Sequence, residues 1–269
     1  MRHLCPPFLI LLALGACTSS ADTVGVSVTS GGDGGGGVAP DFVEDFSSYQ
    51  NVDELLAAAD YLFNADRISL DSGVGYAGSD RSMRYNYPTA SEAGLDNYTI
   101  GFRKDIDPEV TEIWVEAAVR FSSDFTIEGV NLAGAGALKL LHVYPRNVVG
   151  RFGINLAGGD SGHIRAEGPN DDFEDLYIYP HGGQGGPEAP ITSTLFDEEW
   201  HVLRHHIRLG DDDFHEFWLD GQYLGSATGQ TAGTPLYNIW LNKNMNQLAD
   251  HPMELWWGKL AYWTSDPGW

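Results

Sequence analysis

Thr111-Glu112-Ile113-Trp114-Val115-Glu116-Ala117-Ala118-Val119-Arg120-Phe121 decides the fold class. Ile113, Val115, Ala117, Val119 and Phe121 recur at every second position and alternate with Glu112, Trp114, Glu116, Ala118 and Arg120. Successive side chains of an extended chain point to opposite faces. This period of two therefore predicts a strand with one face in a core and the other exposed or lining a binding surface. Working outward, similar short runs separated by Gly, Asn, Asp and Pro predict strands at 82–87, 137–144, 150–156, 175–179, 201–209, 216–219, 222–226, 237–242 and 256–264. Within 217–224, Asp220-Gly221 supplies the positive φ angles that a tight hairpin needs. A single helix is expected near the start, at 53–59, with Asp53 placed to cap or charge its N-terminus. The sequence has neither an internal repeat nor the strand–helix alternation of a parallel sheet. The expected architecture is all-β, a two-sheet antiparallel sandwich with one short helix near the N-terminus.

The N-terminal segment reads differently. Met1-Arg2-His3 precedes an apolar run from Pro6 to Ala16, the pattern of an export signal and too short for a membrane helix, which needs roughly 20 apolar residues. Leu14-Gly15-Ala16-Cys17 resembles the bacterial lipobox. That resemblance implies cleavage before Cys17, acylation of its thiol and new amine, and display at the outer membrane or cell surface, since Thr18 is not the Asp of inner-membrane retention. The competing reading is an ordinary secretory signal cut nearby, with Cys17 a spare thiol. Residues 17–41 contain the run Gly31-Gly32-Asp33-Gly34-Gly35-Gly36-Gly37 and little to bury, which predicts a flexible tether after a signal at 1–16 and before a domain at 42–269. The only other cysteine, Cys5, lies inside the signal. The domain thus has no thiol for a disulfide, a nucleophile or a Cys-ligated zinc. A net charge of −23 argues against nucleic acid as a partner, because binding phosphate requires a basic surface. Oligomeric state leaves no mark on the sequence.

Three short motifs occur in order: Phe42-Val43-Glu44-Asp45-Phe46, then Glu199-Trp200-His201-Val202 with Phe217-Trp218-Leu219-Asp220-Gly221, and finally Trp256-Trp257-Gly258-Lys259-Leu260-Ala261-Tyr262. Together they resemble the concanavalin A-like jelly rolls, which include laminin-G-like modules, legume-type lectins, glucanases and polysaccharide lyases. The resemblance implies glycan binding across one sheet. It also implies a structural calcium near the first and last strands, for which Asp45 is a candidate ligand although Gly258 stands where a second acid is expected. No other cofactor is implied.

Within the alginate-lyase branch the resemblance is partial. Arg81 and Arg84 match an Arg-rich strand that lacks its intervening Glu. His142 matches a Gln-x-His strand in which Leu140 replaces the Gln, and 237–247 matches a late Tyr- and Lys-containing strand loosely. A lyase needs a group that neutralises a uronate carboxylate, a base, and an acid for the leaving oxygen. A retaining or inverting glycosidase instead needs two carboxylates about 5 to 9.5 Å apart. Glu112 and Glu116 share a face but stand four residues, roughly 13 Å, apart. Asp172 and Glu174 have suitable spacing but read as part of a solvated acidic loop.

The scarce cations lie on strands, with Arg204, His206 and Arg208 on one face and His142 and Tyr144 on one face of another strand. The leading expectation is a surface-anchored domain that binds an anionic polysaccharide through Arg84, His142, Tyr144, Arg204, His206, Asn242 and Lys243. One alternative is a lyase with His142 or Tyr144 as base or acid and Arg84 or Asn242 as carboxylate neutraliser. Another is a laminin-G-like adhesion module. Several competing assignments stay open. Arg204 and Arg208 can equally pair with surface acids, 242–246 can equally be a structural turn, and His205 on an apolar face reads as a hydrogen-bonded core histidine. Of His201, His205, His206 and His215, at most His206 and one hairpin partner should meet, too few for zinc. Trp114, Trp240, Trp256 and Trp257 are candidate sugar-stacking faces, and one of the last two must be core. Clustering of Arg84, His142, Tyr144 and Asn242 in one open groove supports both glycan readings, whereas dispersal over both sheets would sink both.

Overall fold

The computed structural model describes residues 38–94, 97–126, 138–146, 152–157, 163–168, 176–178, 195–228, 234–242, 245–246 and 248–269. Cys17, the glycine run, Asp172, Glu174 and Lys243 lie outside the described residues. In chain order the strands are β1 (Phe42–Glu44), β2 (Tyr61–Phe63), β3 (Ile68–Asp71), β4 (Ser82–Tyr87), β5 (Asn97–Tyr98) and β6 (Gly101–Val110). Next come β7 (Glu112–Phe121), β8 (Leu138–Pro145), β9 (Phe152–Ala157), β10 (His163–Gly168) and β11 (Leu176–Ile178). The last are β12 (His201–Arg208), β13 (Phe214–Leu219), β14 (Gln222–Thr228), β15 (Leu236–Leu241), β16 (Met245–Asn246) and β17 (Met253–Trp263).

They form two antiparallel sheets. Sheet A has eight strands in the order β14-β13-β12-β7-β17-β4-β3, with β1 on β17. Sheet B has nine, in the order β11-β10-β9-β8-β15-β6-β2, with β16 joining β8 to β5. The alternating strand β7 sits near the middle of sheet A, with Val115 opposite His205 of β12 on one side and Tyr262 of β17 on the other. Its apolar set Ile113, Val115, Ala117, Val119 and Phe121 enters the core between the sheets, as the period of two predicts. Phe102 and Phe152 of sheet B and Phe217 and Trp257 of sheet A fill the same core.

The other face of β7 is more covered than alternation alone suggests. Trp114, Glu116 and Ala118 are buried, because Trp269 lies over Arg204 and because Tyr76 and Trp200 pack on Gly258. A Cβ at residue 258 would lie 2.8 Å from the Trp200 ring, so the glycine is a packing requirement rather than a missing calcium ligand.

The helix falls at Val52–Ala58, and its N-cap is Asn51 rather than Asp53. The Asn51 side chain accepts from the Glu54 amide at 3.0 Å, while Asp53 and Glu54 place negative charge in the first turn. Strand β6 is absent from the strands expected from sequence. Gly-Phe-Arg-Lys-Asp-Ile-Asp-Pro-Glu-Val lacks alternation, and its extended form comes from pairing with β15 on one side and β2 on the other.

Candidate functional site

Alternation across the central strands of sheet B builds a polar and aromatic patch on its outer face. Leu141 and Val143 enter the core, so His142 and Tyr144 face outward; likewise Ile239 and Leu241 turn Asn238 and Trp240 outward. Phe102 and Ile106 do the same for Arg103 and Asp105, and Phe152 and Ile154 for Gly153 and Asn155. Register then aligns two cross-strand rows. One runs Tyr61, Arg103, Trp240, His142, Gly153; the other runs Asp105, Asn238, Tyr144.

Within the first row, the His142 Nε2 lies 2.7 Å from Asn155 Oδ1, and the His142 ring centre is 6.1 Å from that of Tyr144. Trp240 stacks on Phe63 at 5.2 Å and meets Tyr61 edge-on at 5.8 Å. The Arg103 guanidinium lies 5.3 Å from the Tyr61 ring centre and 5.9 Å from that of Trp240. Its Nε is 2.9 Å from Asp105 Oδ1 without hydrogen-bond alignment, and its Nη2 donates to Asp105 Oδ2 at 3.3 Å. Tyr61 is 47% exposed at the β2 edge, a stacking surface open to solvent.

In the second row Asn238 is 1% exposed, and among the described residues neither its Nδ2 nor its Oδ1 has a hydrogen-bond partner. A buried amide left unpaired costs about 1–3 kcal/mol, so Asn238 has a donor and an acceptor to offer to a ligand or an ordered water. Asn238 and Asn155 were not singled out from sequence. The available signal was their phase, since each is a polar residue two positions from Trp240 or Gly153 within an otherwise apolar strand.

The six described residues of the seven expected to contact glycan disperse over both sheets, so neither glycan reading stands on that set of residues. Arg84, Arg204 and His206 stand on the outer face of sheet A, whereas His142 and Tyr144 stand on the outer face of sheet B. Tyr85 explains Arg84: its ring enters the core and its hydroxyl donates to the Leu241 carbonyl at 2.9 Å, which turns Arg84 outward toward Asp71 and Glu254. Arg204 pairs with Glu116 at 2.7 Å, and Lys259 takes the other oxygen of the same carboxylate at 2.7 Å. Burial would raise the Glu116 pKa, but these two cations hold it below the usual carboxylate range. His206 lies against Glu112 at 2.9 Å and stacks on Trp114 at 4.1 Å, and Arg208 pairs with Glu112. Arg208 thus pairs with a partly exposed acid, whereas Arg204 pairs with a buried one.

Asn242 is the third departure. Its φ of 55° breaks the alternation at the end of β15, and its Nδ2 reaches inward to the Tyr87 hydroxyl. It is a fully buried structural residue, remote from the outer face on which His142 stands. Asp45 Oδ1 accepts from the amide and hydroxyl of Ser47 at 3.0 and 2.7 Å. Among the described residues no three His, Cys, Asp or Glu groups are arranged to hold a metal ion.

The remaining expectations resolve cleanly. Trp257 is core, whereas Trp256 faces outward under Arg120 and donates its Nε1 hydrogen to Asp71 at 3.0 Å. The histidines that meet across the β12–β13 hairpin are His205 and His215, not His206: His215 Nε2 is 2.9 Å from His205 Nδ1 on the core face. The two residues lie in diagonal register and both point inward.

No protein-family model matches the chain, and no curated protein matches it. Solved structures do resemble it. An endo-β-1,4-glucuronan lyase from the fungus Trichoderma reesei superposes with a TM-score of 0.57 at 13% identity, over 84% of this chain and 96% of the lyase. The alginate lyase Aly36B, in complex with an alginate trisaccharide, gives 0.59 at 11% identity, over 83% and 98% of the two chains. The marine PL-14 alginate lyase of Aplysia kurodai gives 0.55 at 14% identity, over 85% and 100%. At such identities the likeness speaks to architecture, and with the sheet order above it establishes that this chain has a concanavalin A-like jelly-roll fold.

Proposed function

We propose that the chain is a polysaccharide lyase that cleaves a uronate polymer by β-elimination on the outer face of sheet B. The observation that carries this reading is the convergence of His142, Tyr144 and a buried, unpaired Asn238 amide on adjacent strands of one face. The activities of the fold neighbours, on glucuronan and alginate, agree with it. In this reading Asn238 Nδ2 donates to the uronate carboxylate and lessens the charge that opposes carbanion formation at C5. His142 takes the C5 proton. The C5–H electron pair forms the C4–C5 double bond, the C4–O bond breaks, and the Tyr144 hydroxyl protonates the departing oxygen. The open ring of Tyr61 offers a stacking face along the same row. Asn238 thus takes the neutralising part expected of Arg84 or Asn242. Acylation at Cys17 and a tether over residues 17–41 complete the proposal, which puts the domain at the outer membrane or cell surface.

The test is incubation with alginate, glucuronan, pectate, ulvan and glycosaminoglycans while following the ultraviolet absorbance of the unsaturated product. Cleavage of one polymer, with a fall of about 100-fold or more in His142→Ala and in Tyr144→Phe at unchanged unfolding midpoint, supports the proposal. A second reading, binding without cleavage, is favoured by the burial of His142, which at 1% exposed is a poorly accessible base. Retention on a uronate polymer with no absorbance change from any of them would establish it instead.

A further inference from the structure

His142 is held by two neighbours on β9, one that bonds its ring and one that makes room for it. Asn155 is fully buried, and its Oδ1 lies 2.7 Å from His142 Nε2. A carbonyl oxygen only accepts, so the hydrogen of this bond resides on Nε2. Gly153 stands directly opposite His142 in the β8–β9 register. A Cβ at residue 153 would lie 2.6 Å from both Cδ2 and Nε2 of the imidazole, closer than such atoms approach. The same edge of the ring that bonds Asn155 therefore lies flat over the glycine. Any side chain at 153 must push that edge away from Asn155.

We propose that Asn155 and Gly153 are positioning residues that lock the neutral His142 ring in its Nε2–H tautomer, which leaves the lone pair on Nδ1. This inference rests on the lyase reading for the purpose of the lock, but the lock itself is a property of the resting protein. A neutral imidazole has one donor and one acceptor nitrogen, and which is which is set by the bond that the other nitrogen makes. Without the lock both tautomers populate, and only one presents a base to the substrate. The glycine also explains why a residue that weakens a strand is retained in the middle of β9.

Nitrogen-15 NMR of histidine-labelled protein without substrate separates the lock from the chemistry. The His142 signals are assigned by their loss in His142→Gln. A two-bond correlation pattern with protonated Nε2 and unprotonated Nδ1 is expected, and a protonated Nδ1 with bare Nε2 overturns the proposal whether or not any polymer is cleaved. In Asn155→Leu and Gly153→Ala the pattern should change to a mixture or to the other tautomer, with KM nearly unchanged and kcat falling with the lost Nε2–H population, about twofold for an equal mixture and about 100-fold for a complete switch. Asn155→Asp sets a carboxylate against Nε2 and favours the imidazolium. The acidic limb of the kcat profile should then move to higher pH by about one unit or more. A merely structural Asn155 would leave the tautomer as it is in a folded Asn155→Leu, and that outcome refutes the lock. The wild-type spectrum tests it even if the leucine variant is unstable. Absence of cleavage by wild-type protein, with the Nε2–H pattern present, would instead refute the lyase reading and leave the tautomer assignment standing.

Discussion

Replacing His205 and His215 together by leucine should remove most of the acid sensitivity of the fold. Both rings are wholly buried between the sheets, stacked with centres 4.9 Å apart, and His215 meets Phe152 of sheet B edge-on at 5.5 Å. They share one hydrogen bond, and the outer nitrogens, His205 Nε2 and His215 Nδ1, have no partner among the described residues. Burial pushes the His215 pKa down to about 3, and burial with the neighbouring His215 pushes His205 down as well. The pair is accordingly neutral in the folded protein at neutral pH. Above the unfolded value near 6.5 neither state binds protons, and the histidines contribute no pH dependence. As the pH falls below about 6.5 the unfolded chain takes up protons that the folded one refuses, and stability is lost until the folded value is reached. For His215 alone the loss at pH 5 is about 2 kcal/mol, from 1.36 kcal/mol per unit over about 1.5 units. His205 adds to it in the same direction.

Urea unfolding at pH 7.5 and pH 5 measures this directly. The double leucine variant should lose at least about 2 kcal/mol less than wild type between those pH values. At pH 7.5 it should equal or exceed wild type, because two orphaned buried nitrogens are gone. Either single leucine variant should be less stable than the double at pH 7.5, since it leaves the other histidine with no partner at all. Parallel loss of stability in wild type and double variant would refute the reasoning, and would mean that the pair is already charged or already solvated in the folded state.

Two further outcomes follow from the way the sheets divide the cations. Arg204→Ala should leave uronate-polymer retention and cleavage unchanged, because its side chain is on sheet A, yet destabilise the fold by about 1–3 kcal/mol by leaving Glu116 with Lys259 alone; weakened polymer retention at unchanged stability would contradict that placement. Asn242→Gly should be more stable than Asn242→Ala by about 1 kcal/mol in urea unfolding, since both lose the Tyr87 bond but only alanine is strained at a φ of 55°; equal stabilities would contradict it.

Much of the sandwich was legible from period and punctuation. β4 appears at 82–87 as expected, and β7, β8, β12, β15 and β17 lie within a few residues of their expected places. Each has a one-sided apolar pattern that specifies both strand and phase. The short edge strands β1, β2 and β3 are too brief to show a period, and β6 carries five charged residues in ten. It is extended because both neighbours hydrogen-bond to it, a cause that lies elsewhere in the chain. Missing β6 meant missing Arg103 and Asp105 as part of the patch.

The site was half legible for the same reason. His142 and Tyr144 share a face because they are two residues apart on one strand, which is a local fact. Arg84 has equally clear alternation, but β4 enters sheet A and β8 enters sheet B, so a correct phase on each strand still leaves their outward residues on opposite surfaces. Asn242 was misplaced for another reason: a single left-handed residue at the strand end cancels the alternation from which its direction would be read.

From sequence alone, then, the local quantities follow: all-β class, strand phase, the hairpin at Asp220-Gly221, and the adjacency of His142 to Tyr144. These depend on backbone geometry over a few residues, where side-chain direction alternates without outside help. Which strands pair, which sheet each joins, and hence that Asn238, Asn155 and Gly153 surround His142 while Arg84 and Arg204 do not, required the tertiary structure. Pairing is a long-range choice settled by burial of all the apolar faces at once, and no window of sequence contains the partner that decides it.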